Sequence, residues 1–261
     1  MKIRIKFTKS GPLKFVGHLD VMRYFQKAFR RGEIDVEYSQ GYSPHQLLSF
    51  AAPLGVGLTS DGEYLDVQVH TSDSKEVMIE RINSVMAEDI QITDYIFLPD
   101  NTKNAMSIVA GADYLVSVRD GYDFFGKDEF QKKFIEFINR EQIIITKKSK
   151  KSENEVDIKP MIYNTAFTSE DFYKTIGQTS ICNKNETSVA DSYDNGIKVY
   201  MQLATGSANN LKPELVMEAF SQYAGIVYNE FTYQVHRMEV YGEIGNEENR
   251  KLVALDKIHE C

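Results

Sequence analysis

KIRIKFTKSGPLKFVGHLDVMRYFQKAFRRGEIDVEY (residues 2–38) reads as strand, helix, strand, and this order decides the fold. Residues 2–7 alternate Lys/Arg with Ile/Phe, the period-two pattern of a half-buried strand. The next segment places Val21, Met22, Phe25, Ala28 and Phe29 at helical spacing, and Gly32 is expected to close the helix as its C′ residue. IDVEY (34–38) is expected to be a strand.

Reading outward, LLSFAA (47–52) predicts a short strand and EYLDVQV (63–69) a longer one. SKEVMIERINSVMA (74–87) predicts an amphipathic helix capped by Ser74, and IQITDYIFL (90–98) a strand ended by Pro99. The order β-α-β-loop-β-α-β is that of a ferredoxin-like unit. After the polar connector PDNTKN (99–104) the order recurs. A strand is expected at 113–118, a helix at 127–140, and strands at 142–148 and 154–160 paired across the basic turn SKKSE. A strand at 196–204, a helix at 213–224 and a strand at 231–241 complete it. The expected fold is therefore α+β, with two tandem ferredoxin-like (βαββαβ) domains, each with an antiparallel sheet and helices on one face. Their bounds are 1–100 and 105–241, with a polar insertion around 165–195 and a charged C-terminal tail at 242–261, expected to be exposed or frayed. The recurrence is one of element order alone, without a repeat of residues.

Composition narrows the function classes. The chain has 261 residues, 42% hydrophobic and 26% charged, as in folded globular proteins. No apolar run approaches the roughly 20 residues of a membrane span, so no membrane partner is expected. MKIRIKFTKSG has no apolar h-region, so no secretory signal is expected there. Cys182 and Cys261 are the two cysteines, without metal-type spacing, which points to a reducing cytoplasm and against an all-cysteine zinc or iron–sulfur site. Net charge is −8, yet residues 1–50 hold nine Lys/Arg against four Asp/Glu. An acidic chain does not coat nucleic acid indiscriminately, although a local basic face can meet phosphate.

The candidate working surface lies in residues 17–66. Arg23, Lys27 and Arg30 or Arg31 form one stripe of a helix, suited to phosphate contacts, or to a solvated face opposite the core. YSQGYSPH adds Gly41, Tyr42, Pro44 and His45 in a turn-rich loop. His18, His45 and a carboxylate from Asp20, Glu63 or Asp66 have the residue types of a two-His-one-carboxylate site, if the loop folds back over the helix. The alternative is that His18 orders the loop and His45 bonds a backbone carbonyl. Gly55 and Gly57 lack the Lys-Ser/Thr of a phosphate loop, and no cofactor is expected.

GHLDVMRYFQKAFRR followed by YSQGYSPHQLLSFAAPLGVGLTSDGEYLDV resembles the radical-SAM-linked bacterial proteins of unknown function. His18, Leu19, Asp20, Arg23, Arg30, Arg31, Gly41, Pro44, His45, Pro53, Leu54, Gly57, Glu63 and Asp66 carry the resemblance, and Asp157 and Pro160 after a Lys-rich turn extend it. Gly17, Tyr42, Ser43 and Gln46 depart from the family pattern without removing a histidine or carboxylate. The resemblance implies a protein encoded beside, or fused to, a radical S-adenosylmethionine enzyme, which would be its partner. With two distant cysteines the chain cannot hold the cluster of such an enzyme itself.

The expected function is a non-catalytic adaptor that recognises a substrate, RNA or ribonucleoprotein, for that partner. Its surface would be His18, Arg23, Lys27, Arg30, Arg31, Tyr42 and His45. The competing expectation is a metal-dependent or general acid/base hydrolase or nuclease using His18, Asp20, His45 and Glu63.

Overall fold

The computed structural model describes residues 1–148, 153–182, 188–207, 209–245 and 249–259. The first half runs β1 (Lys2–Lys9), α1 (His18–Arg31), β2 (Leu48–Phe50), β3 (Thr59–Gln68), α2 (Lys75–Asn83) and β4 (Ile92–Leu98). A short α3 (Ala105–Ile108) leads into β5 (Val109–Val118) and α4 (Lys127–Ile138). Then follow the hairpin β6 (Ile144–Lys148) and β7 (Glu153–Asp157), β8 (Ile162–Ala166), α5 (Ser169–Ile176) and β9 (Ser180–Ile181). β10 (Lys198–Ala204), α6 (Pro213–Ala224), β11 (Tyr233–Ile244) and β12 (Lys251–Ala254) complete the chain. The fold is thus mixed α+β, with mostly antiparallel pairing. Among the described residues no helix is long and apolar enough to cross a membrane.

The helices form where the apolar spacing demands. Val21, Phe25, Ala28 and Phe29 turn one face of α1 inward, onto Ile3, Ile5 and Phe7 of β1 and Leu65 and Val67 of β3. Gly32 does not supply the left-handed turn: its φ is −79°, and Glu33 takes φ +53° instead. In the second half α4 and α6 bury Phe130, Phe134, Phe137 and Phe220 against Val116, Val199 and Met201. IDVEY forms isolated bridges, Val36 to Val69 and Tyr38 to Gln46, in place of the expected strand.

The two sheets expected of the two halves are joined into one. One sheet runs through both halves in the order β4-β1-β3-β11-β5-β10-β8, with β2 on β3 and β12 on β11. Its neighbours along this path are antiparallel except at the join, where β3 and β11 run parallel through His236–Thr59 and Arg237–Ser60. Gly62 permits this join: a Cβ there would lie 2.7 Å from the Met238 carbonyl oxygen and 2.9 Å from Glu239 Cα.

Two polar stretches contribute to the core for a common reason, and for the tail this overturns the expectation. The insertion around 165–195 contains α5, whose Phe172 and Ile176 are fully buried on the sheet face opposite α4 and α6. The charged tail is not frayed: β12 pairs with β11, and Leu252, Val253, Ala254 and Leu255 are buried. In each segment a few apolar residues at strand or helix spacing outweigh many polar ones, because the polar residues stay at the surface. The Lys-rich turn falls largely outside the described residues, between paired β6 and β7.

A candidate binding cleft at the junction of the halves

The strands meeting at the join carry charges into the interior. Arg4 is fully buried, and its Nε and Nη2 donate to Asp66 Oδ1 and Oδ2 at 2.8 and 3.1 Å, while Nη1 donates to the Leu255 carbonyl at 3.0 Å. Lys6 Nζ donates to Glu239 Oε2 at 2.6 Å and Asp256 Oδ2 at 3.0 Å. Tyr64 Oη donates to the other oxygen of Glu239 at 2.6 Å. Arg237 clamps Glu63 through Nε and Nη2 at 2.7 and 2.5 Å, and Nη2 also donates to the Ala52 carbonyl at 2.7 Å. Burial opposes both the Lys6 and Arg237 charges, but the facing carboxylates hold their pKa values above the usual range. The charged side of KIRIKF is thus the contact between the halves.

Asp113, one strand further, follows the opposite rule. Tyr241 Oη and Gln202 Nε2 donate to it at 2.5 and 3.0 Å, yet burial pushes its carboxyl up to about 8. The folded chain therefore keeps a proton that the unfolded chain releases near 3.8. The resulting stabilisation is complete below that value and is lost as pH rises to about 8. Urea unfolding between about pH 5 and about pH 7 should show Asp113→Asn losing a slope of up to about 1.4 kcal/mol per pH unit carried by the native chain.

His236, Asp61 and Ser188 have the residue types of a hydrolytic triad but not its geometry. Asp61 Oδ2 lies 3.0 Å from Nε2, and Ser188 Oγ lies 3.4 Å from the same nitrogen. Nδ1 meets Thr59 Oγ1 at 2.9 Å. With the carboxylate holding a proton on Nε2, that nitrogen cannot take one from Ser188. Burial opposes ionisation of Asp61, but bonds from His236, Ser188 and the Val189 N–H keep its pKa below the usual value.

Above the Arg237–Glu63 pair opens a cleft of about 520 Å³. One wall is the loop Ala51–Gly55 with Leu58, and the other is Thr205–Ser207, Asn210 and the start of α6 at Lys212–Glu214. Tyr114 and Arg237 line its floor. Pro213 occupies the first helical turn, where its missing N–H costs nothing, and Lys212 stands exposed at the N-cap. An adjoining hollow shares Ala52 and Leu54 with the cleft and is lined by Lys9, His18 and Glu63. His18 sits edge-on to Phe50, ring centroids 5.1 Å apart, and burial and then Lys9 lower its pKa against the pull of Glu63.

The other expected site residues scatter. Asp20 pairs with Arg23 at 2.9 Å on the exposed face of α1, where Lys27 and Arg30 are also exposed. Arg31 Nη2 donates to the Val85 carbonyl at 2.7 Å. Gly41 takes φ +117° in a loop whose Tyr42 and Pro44 are exposed. His45 Nδ1 meets Ser39 Oγ at 2.8 Å and lines a separate hollow with Lys2, Asp66 and Asn104. The two imidazoles therefore line different hollows. No group of three His, Cys, Asp or Glu that could hold a metal occurs among the described residues. Of the expected residues, His18 and Glu63 come together beside the cleft. Arg237, Tyr114 and Lys212 were not anticipated; the run HRME inside strand FTYQVHRMEVY was the available signal for Arg237, since buried strands rarely carry three polar or charged positions in four.

The cleft wall formed by residues 51–55 is part of the motif stretch, whereas Arg237 comes from the far end of the chain. Comparison with curated proteins finds none that matches. A family model does match, over residues 2–213, from β1 to the first residue of α6. The chain thus belongs to DUF2344, a family of uncharacterized proteins conserved in bacteria.

Proposed function

We propose that this protein is a non-catalytic cytoplasmic adaptor that holds a phosphate-bearing substrate, RNA or ribonucleoprotein, for a partner enzyme. The partner class is the radical-SAM enzyme that the motif resemblance implies. The observation that carries the reading is the junction cleft, where the motif loop 51–55 faces Lys212 and the first turn of α6. Lys212 and the free N–H groups of a helix start favour an anion against the Glu214 carboxylate of the same wall, and Ser207 and Asn210 add neutral donors. Arg23, Lys27 and Arg30, exposed on α1, offer further cationic contacts for a long substrate.

Each half is proposed as a ferredoxin-like domain, residues 1–100 and 105–241. In support, the strand order β4-β1-β3-β2 of the first half recurs as β11-β5-β10-β8 in the second, antiparallel throughout. Against the hydrolase reading stand the separate hollows of His18 and His45 and the Asp20–Arg23 pair on the outer face of α1.

A fluorescent single-stranded RNA titrated into the full chain at low salt tests the proposal. Native protein should bind, Lys212→Glu should weaken binding at least about tenfold, and the salt slope should fall by about one. Unchanged affinity in Lys212→Glu would remove the cleft from the recognition surface. Cleavage of the RNA by native protein but not by His18→Ala would overturn the adaptor in favour of a nuclease.

A further inference from the structure

A second cavity, of about 310 Å³, lies on the sheet face covered by α5. Leu115, Met238 and the rings of Tyr173, Tyr193 and Tyr200 line it, with the Ser117 and Ser169 hydroxyls. The buried His236–Asp61 pair lines it too, at the join of the halves. Residues 188–197 run along the cavity and are tied down at both ends. The Val189 N–H donates to Asp61 Oδ1 at 2.8 Å, Asp191 bridges to Lys14 at 2.7 Å, and the Asn195 N–H donates to Asp120 Oδ1 at 3.0 Å. The cavity is therefore held open by built contacts on several elements.

The geometry points to this cavity as a binding site for an uncharged planar heteroaromatic molecule of nucleobase or nucleoside size. Tyr173 and Tyr193 supply aromatic surface, Tyr200 is backed by Phe172, and Leu115 and Met238 add apolar lining. The volume lies at the small end of the range for ligand sites, which suits one ring system with a short polar appendage. Charge selects against a phosphate. Lys198 and His236 share the lining with two carboxylates, Asp61, which pairs with His236, and Asp191, and Asp61 is held ionised by its three bonds, so the cavity has no cationic excess to offset an anion. The hydroxyls of Ser117 and Ser169 can both donate and accept, as base edges and sugar hydroxyls require. This site is separate from the junction cleft and does not depend on the adaptor reading.

Isothermal titration calorimetry of the full chain with adenosine, guanosine, cytidine and uridine, and with their 5′-monophosphates, tests the site. At least one nucleoside should bind saturably, and its monophosphate at least about tenfold more weakly. Tyr193→Ala, on a partly exposed segment, should weaken that nucleoside about tenfold or more by removing a stacking face. Leu115→Trp should abolish the binding by filling the cavity, with folding checked by its thermal unfolding transition. Absence of saturable binding by every nucleoside would overturn the proposal. So would equal affinity for the monophosphate, or unchanged binding in both variants.

Discussion

Glu63→Ala is expected to destabilise the fold by about 3–5 kcal/mol, measured by urea unfolding at neutral pH. The Arg237 guanidinium is nearly fully buried and spends its Nε and one face of Nη2 on the Glu63 carboxylate. Without Glu63 it keeps the Ala52 carbonyl and Tyr114, which cannot neutralise a buried charge. A loss of this size is a large share of the ~5–15 kcal/mol that holds a typical domain together. The double variant Glu63→Leu with Arg237→Met should recover most of it, since an apolar pair replaces a desolvated ionic one at little net cost. If the double variant is no better than Glu63→Ala, the pair contributes through geometry at the join and not through charge compensation. Arg237 also stands at the base of the cleft and Glu63 holds it in place, so Glu63→Ala should weaken RNA binding together with stability.

A chain stopped after Asn249 is expected to lose roughly 5–9 kcal/mol, because Leu252, Val253 and Leu255 are each worth about 1.5–3 kcal/mol of buried apolar surface. It would also remove Asp256 from Lys6, and the Leu255 carbonyl from Arg4. Those two cations lie on the charged face of β1, which the last segment covers. The truncated chain should therefore unfold near ambient temperature or fail to accumulate, read by far-ultraviolet circular dichroism against the full chain. A truncated chain with native stability would mean that the segment is an appendage, as its composition alone suggests.

Local periodicity was legible wherever neighbours in sequence are neighbours in space. Val21, Phe25, Ala28 and Phe29 announce α1, and Ile3, Ile5 and Phe7 announce the inner face of β1, because each pattern repeats within a few residues. The same reasoning found α2, α4, α6 and most of the long strands. It read IDVEY as a strand although only single bridges form, and it passed over α5, where two buried residues, Phe172 and Ile176, stand among polar ones. His18 and Glu63, named from residue type alone, line one hollow beside the cleft. The convergence of His18 with His45 was a statement about loop 39–45 returning to α1, and loop geometry is not written in spacing.

The amino-acid sequence by itself determined the order of helices and strands, the inner face of each and the motif stretch that forms one wall of the cleft. Tertiary structure alone decided that the sheets fuse at β3 and β11, that Arg4 and Lys6 are buried instead of solvated, and that Arg237 meets Glu63. The physical reason is the range of the forces involved. Backbone hydrogen bonding and amphipathic burial act along the chain and leave a periodic signature, whereas a buried charge is tolerated only when a partner distant in sequence arrives to compensate it.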